Sequence, residues 1–66
     1  MKNRIRVERA EKRMTQQELA EKCGVSRQTI NAIEAGKFIP STVLALKIAR
    51  TFGKQVEEIF ELEEQD

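Results

Sequence analysis

The chain has 66 residues, 12 Lys/Arg against 11 Asp/Glu, no histidine and one cysteine, with a formal net charge of +1. That length permits one small domain, burying only about 60% of its unfolded surface, so a second copy would help to stabilise it. With 39% hydrophobic and 35% charged residues it reads as a soluble globular chain, and one cysteine with no histidine excludes an internal disulfide and a zinc or other metal site.

Further classes fall away on the same grounds. The segment MKNRIRVERAEKR has no apolar run, so neither a signal peptide nor a membrane span is expected, no membrane partner is implied, and the expected compartment is the cytoplasm. No nucleophile–base pair can be assembled and no glycine loop cradles a phosphate, so no catalytic residues and no cofactor are assigned. The charge is unevenly spread. Residues 1–40 hold nine Lys/Arg against five Glu (+4), and residues 41–66 hold three against six acids (−3). A basic half and an acidic half suit a surface with one side toward phosphates.

In chain order, Met1–Asn3 reads as a short extended arm. A first helix is expected over Arg4 to about Lys12, with Ile5 and Met14 bracketing its apolar contacts and Val7 and Ala10 as weaker core positions. Thr15 and Glu18 then have the spacing of a capping box, which starts a second helix at Gln16. Leu19, Ala20 and Cys23 share one of its faces, and Gly24 ends it where a positive φ is wanted. Cys23 therefore reads as a small core residue. Ser26 is an N-cap for a third helix with Ile30 and Ile33 inward, and Gly36 stops it. Two short helices joined by a tight glycine-containing turn, within residues 16–35, have the helix-turn-helix layout.

The chemistry is expected on the outer face of that third helix. With Ile30 and Ile33 inward, Gln28, Ala32 and Ala35 point nearly opposite, flanked by Arg27 and Asn31. Arg can bridge both acceptors of guanine, Gln or Asn can pair with adenine, and Ala leaves room for a thymine methyl. Arg27, Gln28 and Asn31 are thus the expected base contacts. Thr29 could touch base or phosphate. Gln16 opens the second helix, where free N–H groups suit a phosphate, and Ser26 and Lys37 complete the expected phosphate contacts. An ordinary solvated polar face is the competing account of these residues.

Beyond the loop KFIPS, Ser41 caps a fourth helix carrying the stripe Leu44, Ala45, Ile48, Ala49 and Phe52. Gly53 closes it, and Val56, Ile59 and Phe60 indicate a short fifth helix. The three phenylalanines are placed away from the basic face, which counts against single-stranded nucleic acid. The tail ELEEQD alternates acids with Leu62, as a short strand or a disordered acidic tail would. Leu46, Val56, Ile59 and Leu62 are apolar beyond what one core needs, and a homodimer interface is expected among them, centred on residues 54–66.

The stretch TQQELAEKCGVSRQTINAIEAGK, followed by FIPS and LALKIARTFG, resembles the Cro/C1 class of helix-turn-helix regulators, also called the XRE family. The likeness spans Ile5 to Phe60 and is greatest to the short single-domain members. It implies an all-α, five-helix, lambda-repressor-like DNA-binding domain over residues 1–66, with a short two-stranded sheet from the terminal segments. It also implies binding to double-stranded DNA as a homodimer, an ion pair between Arg9 and Glu34, a phosphate-contacting glutamine at Gln16, and an aromatic Phe38 packed under the loop. Relatives often carry leucine at Glu8 and asparagine at Ile39, which leaves the packing of the first helix and one loop contact open. The expected function is a transcriptional regulator, a repressor reading a palindromic operator. The alternative is an antitoxin-like module with a protein partner and autoregulatory DNA binding.

Overall fold

The computed structural model covers residues 1–66. Five helices follow one another: α1 (Ile5–Glu11), α2 (Gln16–Cys23), α3 (Arg27–Glu34), α4 (Thr42–Phe52) and α5 (Val56–Ile59). Strands β1 (Lys2–Asn3) and β2 (Phe60–Glu61) pair antiparallel, with Lys2 opposite Glu61 and Asn3 opposite Phe60. The fold is all-α with a two-stranded sheet from its terminal segments, as the resemblance implied. The strand forms at Phe60–Glu61, one step earlier than the alternation around Leu62 suggested.

Local chemistry sets most of the boundaries. At α2 the Thr15 hydroxyl accepts from the Glu18 N–H at 3.0 Å, and the Glu18 carboxylate accepts from the Thr15 N–H at 2.9 Å. This reciprocal pair satisfies two otherwise orphaned donors. Ser26 and Ser41 each accept one backbone N–H, from Thr29 and Leu44 respectively. Gly24 closes α2 and Gly53 closes α4 in the left-handed region, at φ 73° and 68°. Helix α1 follows a different rule. Arg4 provides no side-chain cap, and Asn3 acts in its place, its Oδ1 accepting from the Ile5 N–H at 3.2 Å. The Asn3 Nδ2 donates to the Ile33 carbonyl at 2.9 Å, tying the arm to the end of α3.

The core joins all five helices through Ile5, Leu19, Ile30, Ile33, Ile48, Phe52 and Ile59, each at most 2% exposed. Helix α2 packs on α3 and α4, and α4 on α5. The α4 stripe is buried at Leu44, Ile48, Ala49 and Phe52, with Ala45 half-buried against it. Cys23 is a core residue whose thiol burial pushes above its ordinary pKa, so it is no ready nucleophile.

Three expectations about packing are corrected. Val7 and Ala10 are exposed, because α1 turns Ile5 and Glu8 inward and sets the other two about 200° and 140° round the helix from Ile5. Glu8 is fully buried. Its Oε2 accepts from Lys54 Nζ at 2.8 Å, while Oε1 has no hydrogen-bond partner. Ile59, expected in a dimer interface, is 1% exposed within its own chain's core, so its side chain cannot meet a second copy. The short α5 and the sheet force this. Ile59 precedes the strand, and its carbonyl accepts from the Arg4 N–H at 2.8 Å.

Candidate nucleic-acid interface

Helix α3 is held by its inner face and its C-terminal end. Ile30 and Ile33 are buried, and Glu34 closes the helix with a carboxylate only 2% exposed. Arg9, from α1, donates to that carboxylate through Nε and again through Nη2 at 3.2 Å, while its Nη1 donates to the Met14 carbonyl at 2.9 Å. Arg6, itself 80% exposed, adds a charge at 3.9 Å. Burial alone would raise the Glu34 pKa. Hydrogen bonds from Arg9 and Gln16, with the charges of Arg9 and Arg6, outweigh it and hold the carboxyl below the ordinary glutamate value. The expected Arg9–Glu34 partners are therefore brought together, and they fix how α3 stands on the scaffold.

The outer face of α3 is open. Arg27, Gln28, Asn31 and Ala35 are exposed, with Ala32 half-buried among them. Two of the expected contacts are partly engaged within the chain. Gln16 Nε2 donates to Glu34 at 3.1 Å, and its Oε1 faces Asn31 Nδ2 at 3.5 Å. A carboxylate only accepts, so the amide nitrogen of Gln16 must point inward. What Gln16 offers a phosphate is then its backbone N–H at the first position of α2. Ser26 Oγ caps α3 and lies 3.0 Å from the Thr29 hydroxyl, so the two side-chain hydroxyls satisfy each other.

The loop after α3 departs from expectation at Phe38. Gly36 takes φ 76° and the Lys37 N–H donates to the Ala32 carbonyl at 2.9 Å, which turns the chain back along α3. Pro40 occupies the buried place near the loop, and Phe38 is left 50% exposed. Phe38 and the exposed Lys37 line a shallow concavity with Gln28, Thr29 and Ala32, so this phenylalanine does stand on the basic side. The next residue, Ile39, goes the other way. It lines an apolar groove with Met1, Pro40, Ala45, Leu46 and Val56. Of the expected interface residues, Leu46 and Leu62 are exposed and Val56 is half-buried. Sequence reading missed Asn3, the Glu8–Lys54 pair and the outward turn of Phe38. Only the charge of Glu8 within an apolar-phased helix signalled one of them.

Comparison with known proteins follows the same lines. Residues 5–59 match the helix-turn-helix family. An uncharacterized HTH-type transcriptional regulator of Methanocaldococcus jannaschii is 53% identical over 66 residues, covering the whole of both chains. One of Bacillus subtilis is 46% identical, again over the whole of both. Among solved structures, the clp gene regulator ClgR from Corynebacterium glutamicum aligns with a TM-score of 0.77 at 31% identity over 82% of this chain. The hypothetical transcription factor NHTF from Neisseria aligns with the same score at 28% identity. This chain spans 57% and 61% of the length of those two structures. No helix is long and apolar enough to cross a membrane. With its two capped helices, its braced α3 and these relatives, the chain belongs to the Cro/C1-type (XRE) helix-turn-helix family of DNA-binding transcriptional regulators.

Proposed function

We propose that the protein is a homodimeric repressor, acting in the cytoplasm, that reads a palindromic operator by placing α3 in the major groove. The observation carrying this is the contrast between the two sides of α3. Its inner side is locked by Ile30, Ile33 and the Arg9–Glu34 pair, while Arg27, Gln28 and Asn31 stand free on the other. Such a helix presents donor–acceptor pairs at fixed positions, which direct base readout requires. Arg27, Gln28 and Asn31 read bases, with Thr29 beside them. The N-terminal ends of α2 and α3, at Gln16 and Ser26, and the Lys37 ammonium hold phosphates and set the register. Two-fold symmetry then requires half-sites about one helical turn, ~34 Å, apart. Leu46, Leu62 and Val56, joined by Ile39, supply the apolar surface for the second copy.

Selection of bound duplexes from a random pool tests this reading. The expected product is a palindrome. On it, Gln28→Ala loses about 1–3 kcal/mol at one base position per half-site and relaxes preference there. Equal loss on selected and random DNA would show that Gln28 reads no base. Lys37→Ala is expected to weaken both duplexes alike and to lower the slope of log K against log[salt] by about one. An unchanged slope would remove Lys37 from the phosphate contacts. The exposed Leu62 at the edge of an acidic tail also suits a protein partner, as in an antitoxin-like module. Stable co-purification of a second protein, with only monomer of this chain in its absence, would favour that reading over the homodimer.

A further inference from the structure

The concavity beside α3 is apolar at its centre and polar at its rim. Thr29 lines it, and since its hydroxyl is engaged with Ser26 Oγ at 3.0 Å, its methyl is the group left to offer. Ala32 supplies a second methyl. Phe38, 50% exposed, supplies an aromatic ring. The other two fully placed phenylalanines, Phe52 and Phe60, are buried, so Phe38 is the one aromatic in contact with water. At the rim stand the Gln28 amide, with the donor and acceptor that adenine requires, and the Lys37 cation, suited to a phosphate.

A ligand for this notch must be small and apolar, with polar base edges on one side and a phosphate on the other. In the major groove one group meets that description, the 5-methyl of thymine, which apolar side chains such as Ala, Thr and Phe accept. We infer that Ala32, the Thr29 methyl and Phe38 form a receptor for the 5-methyl of a thymine neighbouring the base pair that Gln28 reads. Phe38 is then a specificity residue contributed from outside the helix-turn-helix. Its place is fixed by the backbone, because the left-handed Gly36 and the Lys37–Ala32 hydrogen bond hold the loop against α3. The inference rests on the reading of α3 as the major-groove helix.

Replacing each thymine of the selected duplex in turn by deoxyuridine removes the methyl and nothing else. One thymine per half-site is expected to be sensitive, with binding weakened about three- to fivefold, the worth of one buried methyl. Phe38→Ala is expected to melt as the parent does, since its ring is half in water, and to bind the thymine and uracil duplexes equally at that position. A sequence-specific site with no methyl-sensitive thymine would overturn the inference while leaving the operator reading intact. So would a sensitive thymine whose penalty persists undiminished in Phe38→Ala, which would assign the ring to the sugar–phosphate backbone or to no contact. Loss of all sequence preference in the parent protein would sink the groove reading itself, and this inference with it.

Discussion

Replacing Arg9 by Met is expected to cost about 3–5 kcal/mol, because the carboxylate of Glu34 is then left charged and buried without its principal partner. A domain of 66 residues has roughly 3–10 kcal/mol of stability in all, so much of the population should unfold at 25 °C. Gln16 and the solvent-exposed Arg6 cannot replace a guanidinium that donates to Glu34 from two nitrogens. Urea titration gives the magnitude, and the double replacement Arg9→Met with Glu34→Met should recover much of the loss, since no charge is stranded. A single variant as stable as the parent would mean that the pair is solvated and does not brace α3. The pair also sets a pH dependence. Because the Glu34 pKa is lowered on folding, its contribution is complete above the ordinary glutamate value and is lost as pH falls through the depressed one. The parent should therefore weaken in acid, and Arg9→Met should lose that part of the acid dependence.

The second large effect has the opposite sign. Glu8→Leu is expected to stabilise the domain by about 1–4 kcal/mol, as apolar replacements of buried ion pairs often do. The carboxylate is wholly removed from water and one of its oxygens has no partner, so its desolvation is only partly offset. Leucine has a similar volume and meets the same neighbours without that cost. Lys54 has a side chain 36% exposed, so its ammonium can turn into solvent when the carboxylate is gone. Lys54→Met, in contrast, removes the only partner of a buried acid and is expected to destabilise. The two variants together separate a net-unfavourable pair from a favourable one. A fall in the urea midpoint for Glu8→Leu would show that the Glu8–Lys54 link between α1 and the α4–α5 connection stabilises the fold. Glu8 contacts no residue on the outer side of α3, so binding of the selected duplex should be unchanged in Glu8→Leu.

These two pairs also mark how far the sequence could be read. Caps and stripes are local, so Thr15 with Glu18, Gly24, Ser26, Ser41 and the α4 stripe were legible from spacing alone. The Arg9–Glu34 partners are 25 residues apart, and only the family resemblance joined them. Glu8 and Lys54 are 46 apart, and no periodicity reports a contact of that kind. Val7 and Ala10 were misplaced because an apolar count favours Val7 over Glu8, whereas Ile5 and the helical pitch decide which of them turns inward. Ile59 reads alike as interface or core until the sheet is seen to hold its carbonyl. Phe38 was misplaced by the general expectation that an aromatic side chain is buried. The left-handed turn at Gly36 instead carries it to the side of α3 that faces outward.

Methylation interference on the selected duplex tests most directly whether α3 enters the major groove. Guanine N7 lies in that groove and adenine N3 in the minor one, so the two modifications report the two sides separately. Methyl groups at guanine N7 within each half-site are expected to block binding, and those at adenine N3 in the same base pairs to leave it unaffected. Interference confined to adenine N3, or to neither, would contradict the placement of Arg27, Gln28 and Asn31 against base edges.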